Sequence, residues 1–210
     1  MKKAVTLKLF EFALICGVVV SLSAAVLGAL TQRDAISENL LRLHIVANSN
    51  SQQDQALKLL VRDHIVDYVQ ALTTDDTGRT AAERDVRAHL DEIGALCTTT
   101  LRQAGCGDAV KLSISDRVFP TRRYDGFSLP AGEYRALTVT IGEGRGENWW
   151  CVLFPPLCVS AAEGALDDAA AQAGLSNEDV AFLTQEGASY QFKFKTVELY
   201  EKARAFFAGR

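Results

Sequence analysis

Along this chain the spacing of apolar positions changes several times, and each change marks a new element. Leu41–Ala47 (LRLHIVA) alternates and is rich in branched side chains, which predicts a strand. Asn48-Ser49-Asn50-Ser51 interrupts it and offers a helix cap. From Gln52 to Leu72 the positions Leu57, Val61, Ile65, Tyr68 and Leu72 recur at intervals of three and four, the spacing of an amphipathic helix. Thr73–Gly78 is polar and reads as a loop. A second helix is predicted from Thr80 to Ala104, with Val86, Leu90, Ile93, Cys97 and Leu101 as its buried stripe and Gly105 as its stop. Strand patterns follow at Val110–Ile114, Arg123–Leu129, Tyr134–Ile141 and Trp149–Phe154. Ala161–Gly187 is acidic and alanine-rich and predicts one or two short helices. Ser189–Phe194 alternates as a strand, and Thr196–Phe207 reads as a closing helix. This order argues an α+β domain with a mixed, mainly antiparallel sheet and helices packed on one face.

Ahead of that domain, Phe12–Leu30 runs for 19 positions without a formal charge, after an opening that carries Lys2, Lys3 and Lys8. Two readings stand. A signal peptide has a basic start, an apolar stretch and small residues at its cleavage site, as at Ser23-Ala24-Ala25 or Leu27-Gly28-Ala29. A signal anchor needs about 20 apolar residues to cross the hydrocarbon layer. Both put residues 1–30 in a targeting or transmembrane helix and residues 31–210 outside the cytoplasm, because the lysines hold the N-terminus inside.

Composition adds bounds. Apolar residues make up 48% and charged residues 23%, an ordinary globular balance. The net charge of −4 divides into +2 for residues 1–30 and −6 for the remainder. An acidic domain has no electrostatic footprint for a phosphate backbone, so nucleic acid is not an expected partner. Export also changes the reading of the cysteines. Cys16 lies in the apolar run, and Cys97, Cys106, Cys151 and Cys158 remain for an oxidising compartment. Pro155-Pro156 folds the chain back between Cys151 and Cys158, so these two are the expected disulfide, with the pairing of Cys97 and Cys106 left open.

Candidate chemistry is sparse. Gly142-Glu143-Gly144-Arg145-Gly146 follows a strand but is followed by another strand, where a phosphate-cradling loop must open a helix; it reads as a hairpin loop. His44 falls in a strand, and His64 and His89 lie near the apolar stripes of their helices, with no metalloprotease or serine-hydrolase motif around them. Asp63 and Asp67 share a helix turn beside Arg62 and read as a solvated face. No Cys/His spacing suits zinc, and neither a metal nor a cofactor is expected. Trp149 and Trp150 point to opposite faces of their strand; with Phe154 they are the candidate partner-binding residues, since large aromatics anchor interfaces, although core packing competes with that role.

Three pieces of the sequence resemble the stage II sporulation protein R family: Leu41–Asp63 (LRLHIVANSNSQQDQALKLLVRD), Phe119–Cys158 with its NWWCVLFPPLC block, and Phe192–Lys202 (FKFKTVELYEK). The resemblance implies a protein made in the forespore and exported to the space between the forespore and mother-cell membranes. There it would activate a membrane-embedded aspartic protease of the mother cell, which removes the pro-sequence of the sigma-E precursor. It further implies a ligand without catalytic residues, in which Trp149, Trp150, Cys151 and Cys158 are family-typical positions. The rival expectation is an exported cell-envelope hydrolase, which an open polar cleft holding His64 or Cys97 would favour.

Overall fold

The computed structural model describes residues 2–73, 78–124, 126–157 and 165–184, with side chains from Phe12 onward except at 165 and 167. Elements are numbered in chain order. At the centre lies Leu41–Val46 (β1), covered on both faces. Gly132–Ile141 (β5) runs parallel to it on one side, and Asn148–Phe154 (β6) antiparallel on the other. Val110–Phe119 (β2) pairs antiparallel with the outer side of β5. The order β2-β5-β1-β6 is thus a mixed, mainly antiparallel sheet, as the pattern predicts.

Leu41, Leu43 and Ile45 point to one face, and there the helices collect. Gln52–Leu72 (α2) starts on Ser51, whose side chain accepts a hydrogen bond from the Asp54 N–H and so satisfies a donor the first turn leaves free. Its buried stripe, Leu57, Val61, Ile65 and Val69, packs with Leu137, Val139 and Ile141 of β5. Each such fully buried branched side chain contributes roughly 1.5–3 kcal/mol.

The expected helix Thr80–Ala104 is in fact two, Arg79–Ala88 (α3) and Leu90–Gln103 (α4). The helix turns at His89, whose ring Nδ1 lies 2.8 Å from the Asp85 carbonyl that also takes its backbone N–H. That turn lets Val86 and Ile93 both reach the same core. The end of α4 follows its glycine signal: Gly105, at φ +77°, directs its own N–H to Arg102 O and that of Cys106 to Leu101 O.

Helices were expected on one face alone, but the opposite face, which carries Arg42, His44, Ala136, Thr138 and Trp150, is capped by helices too. The last turns of Lys2–Glu38 (α1), together with Ala165–Ala173 (α5) and Asn177–Thr184 (α6), enclose a second core of Ile36, Leu40, Phe119, Tyr134, Ala136, Val152 and Phe182. One helix in the described residues, Phe12–Glu38, is long and apolar enough to cross a membrane. It leaves its apolar run exposed, and burial begins at Ala29, Arg33 and Ile36 without a break in the helix.

Two local expectations are corrected. Arg123–Leu129 is not one strand but a small ribbon, Arg122–Arg123 (β3) against Ser128–Leu129 (β4), because Gly126 at φ +79° and the Tyr124 N–H to Phe127 O bond reverse the chain. Gly142–Gly146 does not close a hairpin, since β1 lies between β5 and β6. The loop instead crosses over the end of β1 and fastens to the Asn48–Asn50 turn: Gly146 N–H to Ala47 O at 2.9 Å, Arg145 N–H to Asn48 O at 3.1 Å, Glu143 N–H to Asn48 Oδ1 at 3.0 Å and Glu147 N–H to Asn50 Oδ1 at 2.7 Å. Most of the Thr73–Gly78 loop, the Ser189–Phe194 strand, the Thr196–Phe207 helix and Cys158 lie outside the described residues.

Candidate functional site

Strand alternation separates the two tryptophans of β6. Trp149 packs against the helix-side core with the Arg62 guanidinium 4.5 Å above its ring, and its indole N–H is buried without an acceptor. Trp150 lies on the other face, stacked on His44 at 3.9 Å and edge-on to Phe119 at 4.7 Å. Phe154 is fully buried in the helix-side core. Both tryptophans stay half-exposed.

His44 is held by this packing. Its Nε2 lies 2.7 Å from Asn148 Oδ1, so that nitrogen carries the proton, and Nδ1 is left buried without a partner. Burial lowers its pKa from the ordinary histidine value; the Asn148 bond opposes the shift, and the charges of Arg117 and Arg42 add to it. Beside it, Arg42 is fully buried with no carboxylate partner among the described residues. Its guanidinium sits 4.1 Å from the Phe119 centroid and 4.9 Å from that of Tyr134; Nε donates to Cys151 O at 3.2 Å and a terminal nitrogen to the Tyr124 hydroxyl. The other terminal nitrogen has no acceptor. Aromatic faces and neutral oxygens stand in for a counter-ion, and burial pulls the pKa below the usual arginine range.

Around the open end of β6 these features border a groove lined by Gln55, Lys58 and Leu59 of α2, by Arg122–Tyr124 and by Glu147–Trp150. Lys58 is buried to 4% exposure, and its ammonium donates to Gln55 Oε1 at 2.6 Å and to Glu147 O at 3.0 Å, both neutral oxygens. Burial lowers its pKa, with the Glu147 charge opposing. Arg122 and Arg123 are exposed, and Arg122 reaches over the Trp150 ring at 5.8 Å. A second cleft, between α1 and the β5–β2 edge, is built from Arg33, Asp34, Arg79, Asp116 and Arg135. Next to it Glu83 accepts from Arg79, Arg87 and Arg135. Burial would raise the Glu83 pKa, but the bonds from Arg135 and Arg87 hold it below the usual range.

The remaining candidate residues are scattered. His64 is exposed on α2, its Nδ1 beside Leu60 O, and His89 is half-buried at the α3–α4 turn. Asp63 and Asp67 are solvent-exposed, Asp63 paired with Arg62. Cys97 is a free thiol in the helix-side core, where burial pushes its pKa up to about 12. Cys106 is also a free thiol. No group of three or more His, Cys, Asp and Glu side chains able to hold a metal comes together among the described residues. Sequence reasoning missed Arg42, Lys58 and Arg122. The alternation of LRLHIVA places Arg42 and His44 on one face, and that was the available signal; the covering of that face by Phe119 and Tyr134, residues remote in sequence, was not legible.

Residues 37–164 match the family model for stage II sporulation protein R (spore_II_R). Among curated proteins, stage II sporulation protein R of Bacillus subtilis (strain 168) is 38% identical over 160 residues, covering 75% of this chain and 71% of that relative. No solved structure matches the chain.

Proposed function

Because this chain belongs to the stage II sporulation protein R family, its role lies in sporulation, and we propose that it acts there as an exported signal rather than as an enzyme. On this reading it is made in the forespore and leaves the cytoplasm for the space between the forespore and mother-cell membranes. It then binds and activates the membrane-embedded aspartic protease of the mother cell that matures the sigma-E precursor. Family membership over residues 37–164 carries the reading.

Three features support it. The apolar helix follows Lys2, Lys3 and Lys8, an arrangement that sends the domain outward. Among the described residues the histidines and thiols do not converge: Cys97 lies in the core, His44 is locked in a stack and His64 faces solvent. The half-exposed Trp149 and Trp150 offer recognition chemistry, with Phe154 holding their strand from within. Neither His64, exposed on α2, nor Cys97, buried in the core, sits in an open polar cleft, the placement that would favour the hydrolase reading. Export also favours a Cys151–Cys158 disulfide, with Cys97 and Cys106 as thiols.

Co-expression of the full chain with the receptor protease and the sigma-E precursor in a non-sporulating host tests the proposal. Precursor cleavage that appears only with this chain is expected. Cleavage that ignores its presence, or never occurs with it, rejects the signalling role.

A further inference from the structure

The groove at the open end of β6 gathers basic and aromatic side chains, where the other cleft described above mixes arginines with carboxylates. The part of the chain after residue 30 carries a net charge of −6, yet Lys58, Arg122 and Arg123 line this one groove, with Glu147 the carboxylate among its described lining residues. Lys58 is the clearest pointer. An ammonium that has left water and bonds only to neutral oxygens is a costly arrangement, and an arriving carboxylate would offset that cost. Arg122 is exposed and has no ion pair among the described residues; it hangs over the indole of Trp150. Trp149 and Trp150 add half-exposed aromatic surface on either side of β6, and arginine beside tryptophan is the composition of interface hot spots.

β6 is also an edge strand among the described residues, and its first half, Asn148–Trp150, is the part that borders the groove. The outer rim there is partly capped by side chains, Lys58 on the Glu147 carbonyl and Tyr124 on that of Trp150 at 3.3 Å. Recognition at this rim therefore rests on side chains more than on added backbone ladder bonds. We propose that this groove is the docking site for an acidic segment of the partner protein, its carboxylates meeting Lys58 and Arg122 and its apolar side chains lying on Trp149 and Trp150. The inference rests on the signalling reading above and names the surface and partner chemistry through which it would operate.

The test uses the full chain with p-benzoylphenylalanine in place of Leu59, which lines the groove without an assigned contact, photo-crosslinked in sporulating cells, the captured peptide being mapped by mass spectrometry. An Asp/Glu-rich protein segment is expected. Capture of lipid, of a segment without carboxylates, or of no protein at all overturns the groove assignment. In parallel, Arg122→Glu should lower precursor cleavage in the co-expression assay at least tenfold while leaving the thermal unfolding midpoint unchanged. Undiminished cleavage also overturns it. If the unmodified chain stimulates no cleavage at all, the signalling reading fails instead, and the crosslink alone decides what the groove binds.

Discussion

At the scale of single residues, the most informative positions are those where nothing but the observed side chain fits. A Cβ added to Gly146 would stand 2.3 Å from Ser49 O and 2.8 Å from the Ala47 Cβ. Gly146→Ala should therefore break the loop's bond to Ala47 and cost about 2–3 kcal/mol in chemical denaturation, whereas Gly94→Ala in α4, whose nearest neighbour is Leu112 Cδ1 at 3.4 Å, should be neutral or gain up to ~1 kcal/mol. Arg42→Ala should cost on the order of 3–5 kcal/mol, because it empties the space between Phe119 and Tyr134. Arg42→Met, which fills that space and removes the desolvated charge, should cost much less by the same measurement. His44 gives a pH signature. Its folded pKa lies below its unfolded value of roughly 6.5, so the unfolded chain takes up a proton that the folded ring refuses. This histidine's contribution is full above about pH 6.5 and is lost as pH falls toward the folded value. His44→Phe should remove that part of the pH dependence in denaturation curves collected between pH 5 and 8. The role of His44 as a strand residue was legible in its alternation; its stack on Trp150 was not, because that contact is made across 106 positions of chain.

At the scale of elements, α2 is the part best written into the sequence. Its bounds, cap and stripe follow from Ser51 and from apolar residues every three or four positions, all local signals. Elements whose shape depends on distant partners were harder to read. β2 extends past Ile114 to Phe119 because Ser115–Val118 pair with Glu133–Ala136, although their own pattern is polar. The supposed β5–β6 hairpin failed for a topological reason: β1, far earlier in the chain, takes the place between them. The groove suffered the same loss, since α2, β3 and β6 meet only after the fold forms. The last turns of α1 make a further prediction. Ile36 is fully buried in the second core, so Ile36→Asp should lower stability by roughly 3 kcal/mol or more. A chain beginning at Leu40 should likewise melt at a lower temperature than one beginning at Val26, as read by circular dichroism.

At the scale of the whole molecule, two cores back to back on one sheet leave the thiols in unequal settings. Cys97 is sealed between α4 and the sheet with its pKa pushed up to about 12, and Cys106 is half-buried beyond the end of the same helix. Alkylation of the native chain should mark Cys106 well before Cys97, and peptide mapping without reductant should recover Cys151 joined to Cys158. Equal labelling of Cys97 and Cys106 would mean that the helix-side core opens readily. The fold class itself was legible because it depends on the order and type of elements, which local periodicity reports. The groove proposed as a docking surface was not, because it depends on which elements become neighbours.

The unbroken passage of α1 from the lipid-length run into the second core has a mechanical consequence. At 1.5 Å per residue, Phe12–Leu30 alone uses about 28 Å, nearly the whole hydrocarbon thickness, and the first packed position, Ala29, comes at its end. On the anchor reading no slack chain would separate bilayer from domain, so an uncut molecule would stand directly on its own membrane like a short rigid post. On the signalling role proposed above, a receptor rooted in the facing membrane would then have to approach to within about one domain's width, or wait until a cut upstream of Ala29 set the post adrift with its docked turns still attached.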